Sequence, residues 1–302
     1  MSRRYGTELQ LRARFVAVLA CACLLPAVAA GATEVPLYTV EVPLAGNTAA
    51  DRSAGFARAL SAVAVRASGR QEAASNATVT GADPSRYVQR YSTSSDGNLS
   101  VGFDERSIWN LLQQAGLPFW AAERPLTVIE APGADRGQGE GAAQWRGLPV
   151  QWTDAAAPGD GGAGRASLIG APNGAGYDWT FTHAGQTVQG RGSVADGINL
   201  AADALAARYA PPSTRGISTV SVSVAGIDDL GAYAGLLAFL ADLSIVRDAS
   251  VGELDGDKVR VDVTMRGDRQ LLERLGAMVG HLVQGSDDAA GTGPSADLIY
   301  LP

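Results

Sequence analysis

The chain has 302 residues, 46% of them hydrophobic, with 31 acidic and 24 basic side chains and a formal net charge of −7. That length is enough for two or three separate cores, and an acidic balance with no local basic patch excludes nucleic acid and anionic lipid as partners. The only cysteines, Cys21 and Cys23, lie within the first thirty residues, so the remainder has no disulfide, no catalytic thiolate and no Cys-ligated metal.

The N-terminus reads as a secretory signal peptide over residues 1–30. Arg3, Arg4, Arg12 and Arg14 precede an apolar run from Phe15 to Leu25, and Pro26 to Ala30 offers small side chains for cleavage. The run is too short to cross a bilayer as a stable helix, so no transmembrane span is expected after cleavage. Its removal leaves 20 basic and 30 acidic groups. The expected location is the periplasm. The alternative is a membrane-anchored lipoprotein through Cys21, because Val18-Leu19-Ala20-Cys21 loosely resembles a lipoprotein box.

An N-terminal α/β domain is expected over residues 35–130. Leu37 to Val42 is a strand by its β-branched and aromatic content. Thr48 and Asp51 have capping-box spacing before a helix that places Phe56, Leu60, Val63, Ala64 and Ala67 on one face and stops at Gly69. Leu99, Val101 and Phe103 alternate as a half-buried strand. Asp104 caps a helix with Ile108, Leu111 and Leu112 inward, ended by Gly116 and Pro118. Residues 126–130 are expected to close this domain as a strand. The glycine-rich stretches 131–144, 155–164 and 285–296 read as linkers or long loops.

Several of these motifs occur together in a known order. They are Tyr38 to Val42, Arg58-Ala59-Leu60 through Ser68-Gly69, Tyr87-Val88-Gln89 with Tyr91, and Leu99 to Asp104. Leu111 to Pro118 follows, then Trp120, Arg124-Pro125-Leu126, Arg146 to Pro149 and Trp179. In this the chain resembles the bacterial family catalogued as domain of unknown function 2066. The resemblance implies an exported proteobacterial protein and carries over no functional residue.

The middle segment, residues 145–210, reads as a hairpin of strands 177–182 and 186–189 bent at His183-Ala184-Gly185, then a helix capped by Ser193 and Asp196. Residues 216–302 give the order βαββαβ, the ferredoxin-like pattern. Its strands are Val220 to Val224, a stretch within 244–254, Val259 to Val263 and Leu298 to Tyr300, with a hairpin turn at Asp255-Gly256. Asp228 and Asp268 open its helices. The fold class is therefore α/β (α+β), in two or three small domains.

Catalytic signatures are sparse. His183 and His281 stand in different domains, where zinc needs three or four converging ligands. No G-x-S-x-G elbow occurs, and Asp228-Asp229 and Asp287-Asp288 are sequence neighbours that do not face one another. Gly159 to Gly164 fits G-x-G-x-x-G by letters alone. Gly190-Arg191-Gly192 lies between a strand and a helix start and reads as a turn needing small residues, with a small anion held by Arg191 and the helix N–H groups as the alternative. The aromatic residues Trp109, Phe119, Trp120, Trp145, Trp152, Tyr177 and Trp179 are mostly core, except that Trp120 with Arg124 suggests a shelf for a glycan or peptide.

The expected function is that of a non-catalytic exported envelope protein, a binding or adaptor module for an envelope protein or glycan, using no cofactor and no metal. The alternatives are a small-ligand or glycan-binding periplasmic protein and a hydrolase whose site is assembled across domains. The candidate surface residues are Trp120, Arg124 and Arg191.

Overall fold

The computed structural model describes residues 32–155, 162–212, 216–256, 258–285 and 296–302. The leader with Cys21, and most of the breaks 155–164 and 285–296, lie outside the described residues.

The first domain contains β1 (Thr33–Glu34), β2 (Thr39–Pro43), α1 (Ala49–Ser68), α2 (Ala77–Thr80), β3 (Val88–Thr93), β4 (Asn98–Phe103), α3 (Glu105–Gln114) and β5 (Glu123–Arg124). The strands form an antiparallel sheet β2-β4-β3 and a separate β1-β5 pair. The sequence-read caps are present. Thr48 and Asp51 close a reciprocal box at the start of α1, Gly69 ends it in the left-handed region, and Asp104 accepts from Ser107 N at the start of α3. Leu60 and Val63 are buried in the core, each contributing about 1.5–3 kcal/mol by leaving water.

The middle sheet begins earlier in the chain than the expected segment 145–210. β6 (Leu126–Glu130) does not close the first domain. It pairs in parallel with β7 (Val150–Trp152) and with β8 (Arg165–Asn173), and the meander continues through β9 (Gly176–His183) and β10 (Gln186–Gly192). The sheet order is β10-β9-β8-β6-β7. The expected linker 131–144 is largely a helix, α4 (Arg136–Arg146), capped by Asp135 and ended at Gly147. Its glycines lower helix propensity, which hides it in the sequence. Gly139 has a packing reason, because a Cβ there would lie 2.4 Å from the Trp152 ring. α5 (Val194–Tyr209), with the expected Ser193–Asp196 box, packs against α4 and the meander.

The third domain comprises β11 (Ile217–Ala225), α6 (Leu230–Asp242), β12 (Val246–Asp255), β13 (Lys258–Arg266), α7 (Arg269–Val279), β14 (Leu282–Gln284) and β15 (Leu298–Tyr300). The expected order βαββα is followed by two strands instead of one. β15 inserts parallel to β11 and antiparallel to β14, giving β12-β13-β11-β15-β14. Asp229, not Asp228, caps α6 by accepting from Ala232 N. Asp297 fixes the entry to β15, accepting from Ser223 N at 2.9 Å and pairing with Arg269 at 2.6 Å.

One contiguous apolar core runs through all three units, from Val35 to Tyr300. The first and third domains are joined by polar contacts as well. Glu123 accepts from Ser244 N and Oγ, each at 2.7 Å, and Arg266 pairs with Glu105 at 3.0 Å. No helix among the described residues is long and apolar enough to cross a membrane.

Candidate functional site

The structure overturns the expected Trp120–Arg124 shelf. Both side chains are fully buried, with the guanidinium 3.7 Å above the indole. The physical reason is a set of backbone acceptors that the sequence does not display. Arg124 donates from Nε to Ala121 O (3.0 Å), from Nη1 to Arg146 O (3.1 Å) and Gly147 O (2.6 Å), and from Nη2 to Arg66 O (2.6 Å) and Trp120 O (3.5 Å).

Those carbonyls belong in part to the C-terminal ends of α1 and α4, where helix dipoles and unpaired C=O groups favour a cation. Arg66 and Arg146 complete the clamp. Arg66 donates to Gln144 O and Thr39 O, and Arg146 donates to Gly69 O, Asn199 and Asp203. Burial, reinforced by Arg66 and Arg146 nearby, pushes the Arg124 pKa well below its ordinary value. This cluster is a structural tie between α1, α4 and α5.

Arg191 is exposed on β10, a sheet edge, and pairs with Asp178 at 2.5 Å. Hydrogen bonds from Arg191 and then Asn173 hold the Asp178 carboxyl below the usual aspartate range. The helix start beside it carries its own acid, since Asp196 accepts from Ser193 N and Oγ. A carboxylate already placed at that N-terminus opposes an incoming anion. The structure thus brings Trp120 and Arg124 together in the interior and leaves Arg191 engaged elsewhere.

The histidines are positioned by backbone carbonyls. His183 is buried at the end of β9, donating from Nδ1 to Arg165 O at 3.0 Å, with Nε2 2.8 Å from the Tyr209 hydroxyl. His281 donates from Nδ1 to Leu301 O at 2.9 Å and stacks on Tyr300. Among the described residues no three His, Cys, Asp or Glu side chains are grouped to hold a metal.

Two open surfaces stand out among the described residues. The first is an apolar groove of about 440 Å³ between α1, β2 and the 79–84 segment, walled by Val42, Pro43, Leu60, Val79 and Pro84 with Trp145 from α4. Trp145 is 37% exposed. On α4 the buried positions are Gly139, Ala143 and Arg146, so Trp145 falls off the buried stripe. That phase becomes legible once 136–146 is recognised as a helix.

The second surface is a pair of adjoining clefts where the first and third domains meet, about 380 and 540 Å³, sharing Asp104, Glu105 and Ser244. Tyr38 lines the larger one, its pKa raised by burial and then by the Glu105 charge. Arg90 also lines that cleft, and Arg106, Arg247 and Arg266 line the smaller one. The outward face of the third sheet carries Thr219, Ser221, Arg260, Asp262 and Thr264.

A family model described as Domain of unknown function (DUF8605) matches residues 31–121, the first domain up to the turn before β5. The finding supports an uncharacterised family for that part of the chain, and it does not support family 2066 specifically. No curated protein and no solved structure matches the chain.

Proposed function

We propose that the chain is an exported, non-catalytic protein of the bacterial cell envelope that docks a partner protein through the groove beside Trp145. The observation carrying this reading is a partly exposed indole lining an apolar groove. Partly exposed tryptophans flanked by apolar walls anchor protein interfaces out of proportion to their area. Export rests on the leader and on the likeness to family 2066.

The groove chemistry selects the occupant. Glu41, Arg58, Ser61 and Thr80 bring polar groups to the groove, but most of its lining is aliphatic and proline carbon, and Thr80 Oγ1 already donates to Asn76 O at 3.1 Å. The Arg58 guanidinium is engaged with Pro43 O. A bulky apolar side chain from a protein segment fits this lining better than a glycan. The shelf imagined at Trp120 and Arg124 has no place in this reading, because those groups are enclosed.

A photo-reactive amino acid at Ala57, exposed on the groove wall, tests it in living cells. One discrete adduct with an envelope protein is expected, and Trp145→Ala should weaken that partner's binding by about 2 kcal/mol, the scale of an interface anchor. Absence of an adduct, or an adduct indifferent to Trp145→Ala, would contradict the reading.

A further inference from the structure

Across the smaller junction cleft, the start of α3 faces β12 and β13. Its volume is about 380 Å³, and three of its seven lining residues are arginines, Arg106, Arg247 and Arg266. Against the carboxylates of Asp104 and Glu105 they leave the lining one positive charge in excess, the reverse of a chain with 31 acidic and 24 basic groups. The state of each charged group shows where the imbalance lies.

Arg266 is only 5% exposed. Its guanidinium lies 4.4 Å from the Trp109 ring centroid and 5.3 Å from that of Phe119, which fixes its plane. Nη1 donates to Glu105 Oε1 at 3.0 Å, and the enclosed Nε has no acceptor. Nη2 also has no acceptor among the described residues, and it is not enclosed as Nε is. A buried guanidinium with donors unmatched is costly unless another acceptor arrives.

The neighbouring groups do not supply one. Ser244 is fully engaged, donating to Glu123 and accepting from Ala122 N. Asp104 Oδ1 accepts from Ser107 N and Oγ, bonds that hold this carboxyl below the usual aspartate range and keep it ionised beside Arg106. Arg247 is exposed and has no hydrogen-bond or ion-pair partner among the described residues, while the exposed Arg106 has the Asp104 charge near it. Glu105 is the one carboxylate on Arg266, and its side chain is 52% exposed, free to swing into solvent.

The geometry points to a binding site for a compact oxyanion, a carboxylate or a phosphoryl group, gripped by Arg266 and Arg247 with Arg106 at the rim. Planar guanidinium forks match the paired oxygens of either group. Glu105 occupies the ligand's place on Arg266 when the cleft is empty and is displaced when the anion enters. This site shares no residue with the Trp145 groove and stands or falls separately from it.

Calorimetric titration of the chain from residue 31 to residue 302 with inorganic phosphate and with succinate tests the assignment. Saturable single-site binding of at least one anion is expected, and which anion binds tells phosphoryl from carboxylate. Arg247→Ala removes an exposed side chain and should weaken binding about tenfold, the loss of one charge-assisted hydrogen bond. Glu105→Gln should change affinity in the opposite direction, tightening binding by removing the internal competitor. Arg266→Ala disturbs the junction packing and is not needed. No saturable heat with either anion would overturn the proposal, as would Arg247→Ala and Glu105→Gln variants that titrate like the parent.

Discussion

Arg124→Ala is expected to destabilise the fold by about 4 kcal/mol or more, a large share of the 5–15 kcal/mol that holds a typical domain together. Removing the side chain leaves Ala121 O, Arg146 O, Gly147 O and Arg66 O without their donor, all inside the protein. It also opens a void beneath Trp120, whose indole loses the guanidinium stacked on it. Each buried carbonyl deprived of its partner adds a desolvation penalty to the packing loss.

Arg124→Lys should be nearly as damaging. An ammonium group keeps the charge but cannot reach acceptors on opposite sides of a planar fork. Urea unfolding followed by circular dichroism measures both variants. A change below about 1 kcal/mol in Arg124→Ala, the range of ordinary surface substitutions, would show that the clamp does not tie the helix ends.

Trp179→Ala should cost about 3–5 kcal/mol, as other large aromatic truncations do. Trp179 lies between β8 and α5, where two glycines let the backbone approach its ring. A Cβ at Gly170 would lie 2.5 Å from the indole, and one at Gly197 would lie 2.4 Å from it. Its Nε1 donates to Ser193 O at 3.0 Å, linking the sheet to the start of α5. Truncation therefore leaves a cavity between rigid walls that cannot close cheaply. Gly197→Ala, which overfills the same contact, should destabilise as well. The same unfolding measurement applies, and a near-neutral Trp179→Ala would mean that α5 can settle onto β8 without the ring.

How far the sequence disclosed the structure depends on where each element finds its hydrogen bonds. Helix starts announce themselves locally, because Thr48 with Asp51, Ser193 with Asp196, and Asp268 satisfy N–H groups three residues away. Strands with alternating valines, such as β11 and β13, are legible for a similar reason. α4 escaped because three of its residues, Gly137, Gly139 and Gly141, argue for a loop, while the tryptophan that requires Gly139 lies outside the helix, on β7. β3 escaped as an edge strand exposed along most of its length, with no apolar alternation to read.

The candidate site was less legible than the fold. Trp120 followed by Arg124 looks like an exposed aromatic–cation pair when its neighbours are unknown. Its acceptors are main-chain carbonyls at helix ends contributed by residues 66 and 146–147, and main-chain groups leave no mark in the sequence. Arg266 and Glu105 are 161 positions apart, and only the docking of the third domain on the first makes them neighbours. Trp145 was visible as an aromatic residue, but its exposure follows from the phase of a helix hidden by glycines.

The account rests on delivery across the inner membrane followed by docking. The measurement that bears on it most directly is mass spectrometry of the N-terminus of the protein recovered from fractionated cells. A periplasmic species beginning close to residue 31, without Cys21 or Cys23, is the result the account predicts. An intact chain starting at Met1 in the cytosolic fraction would contradict it.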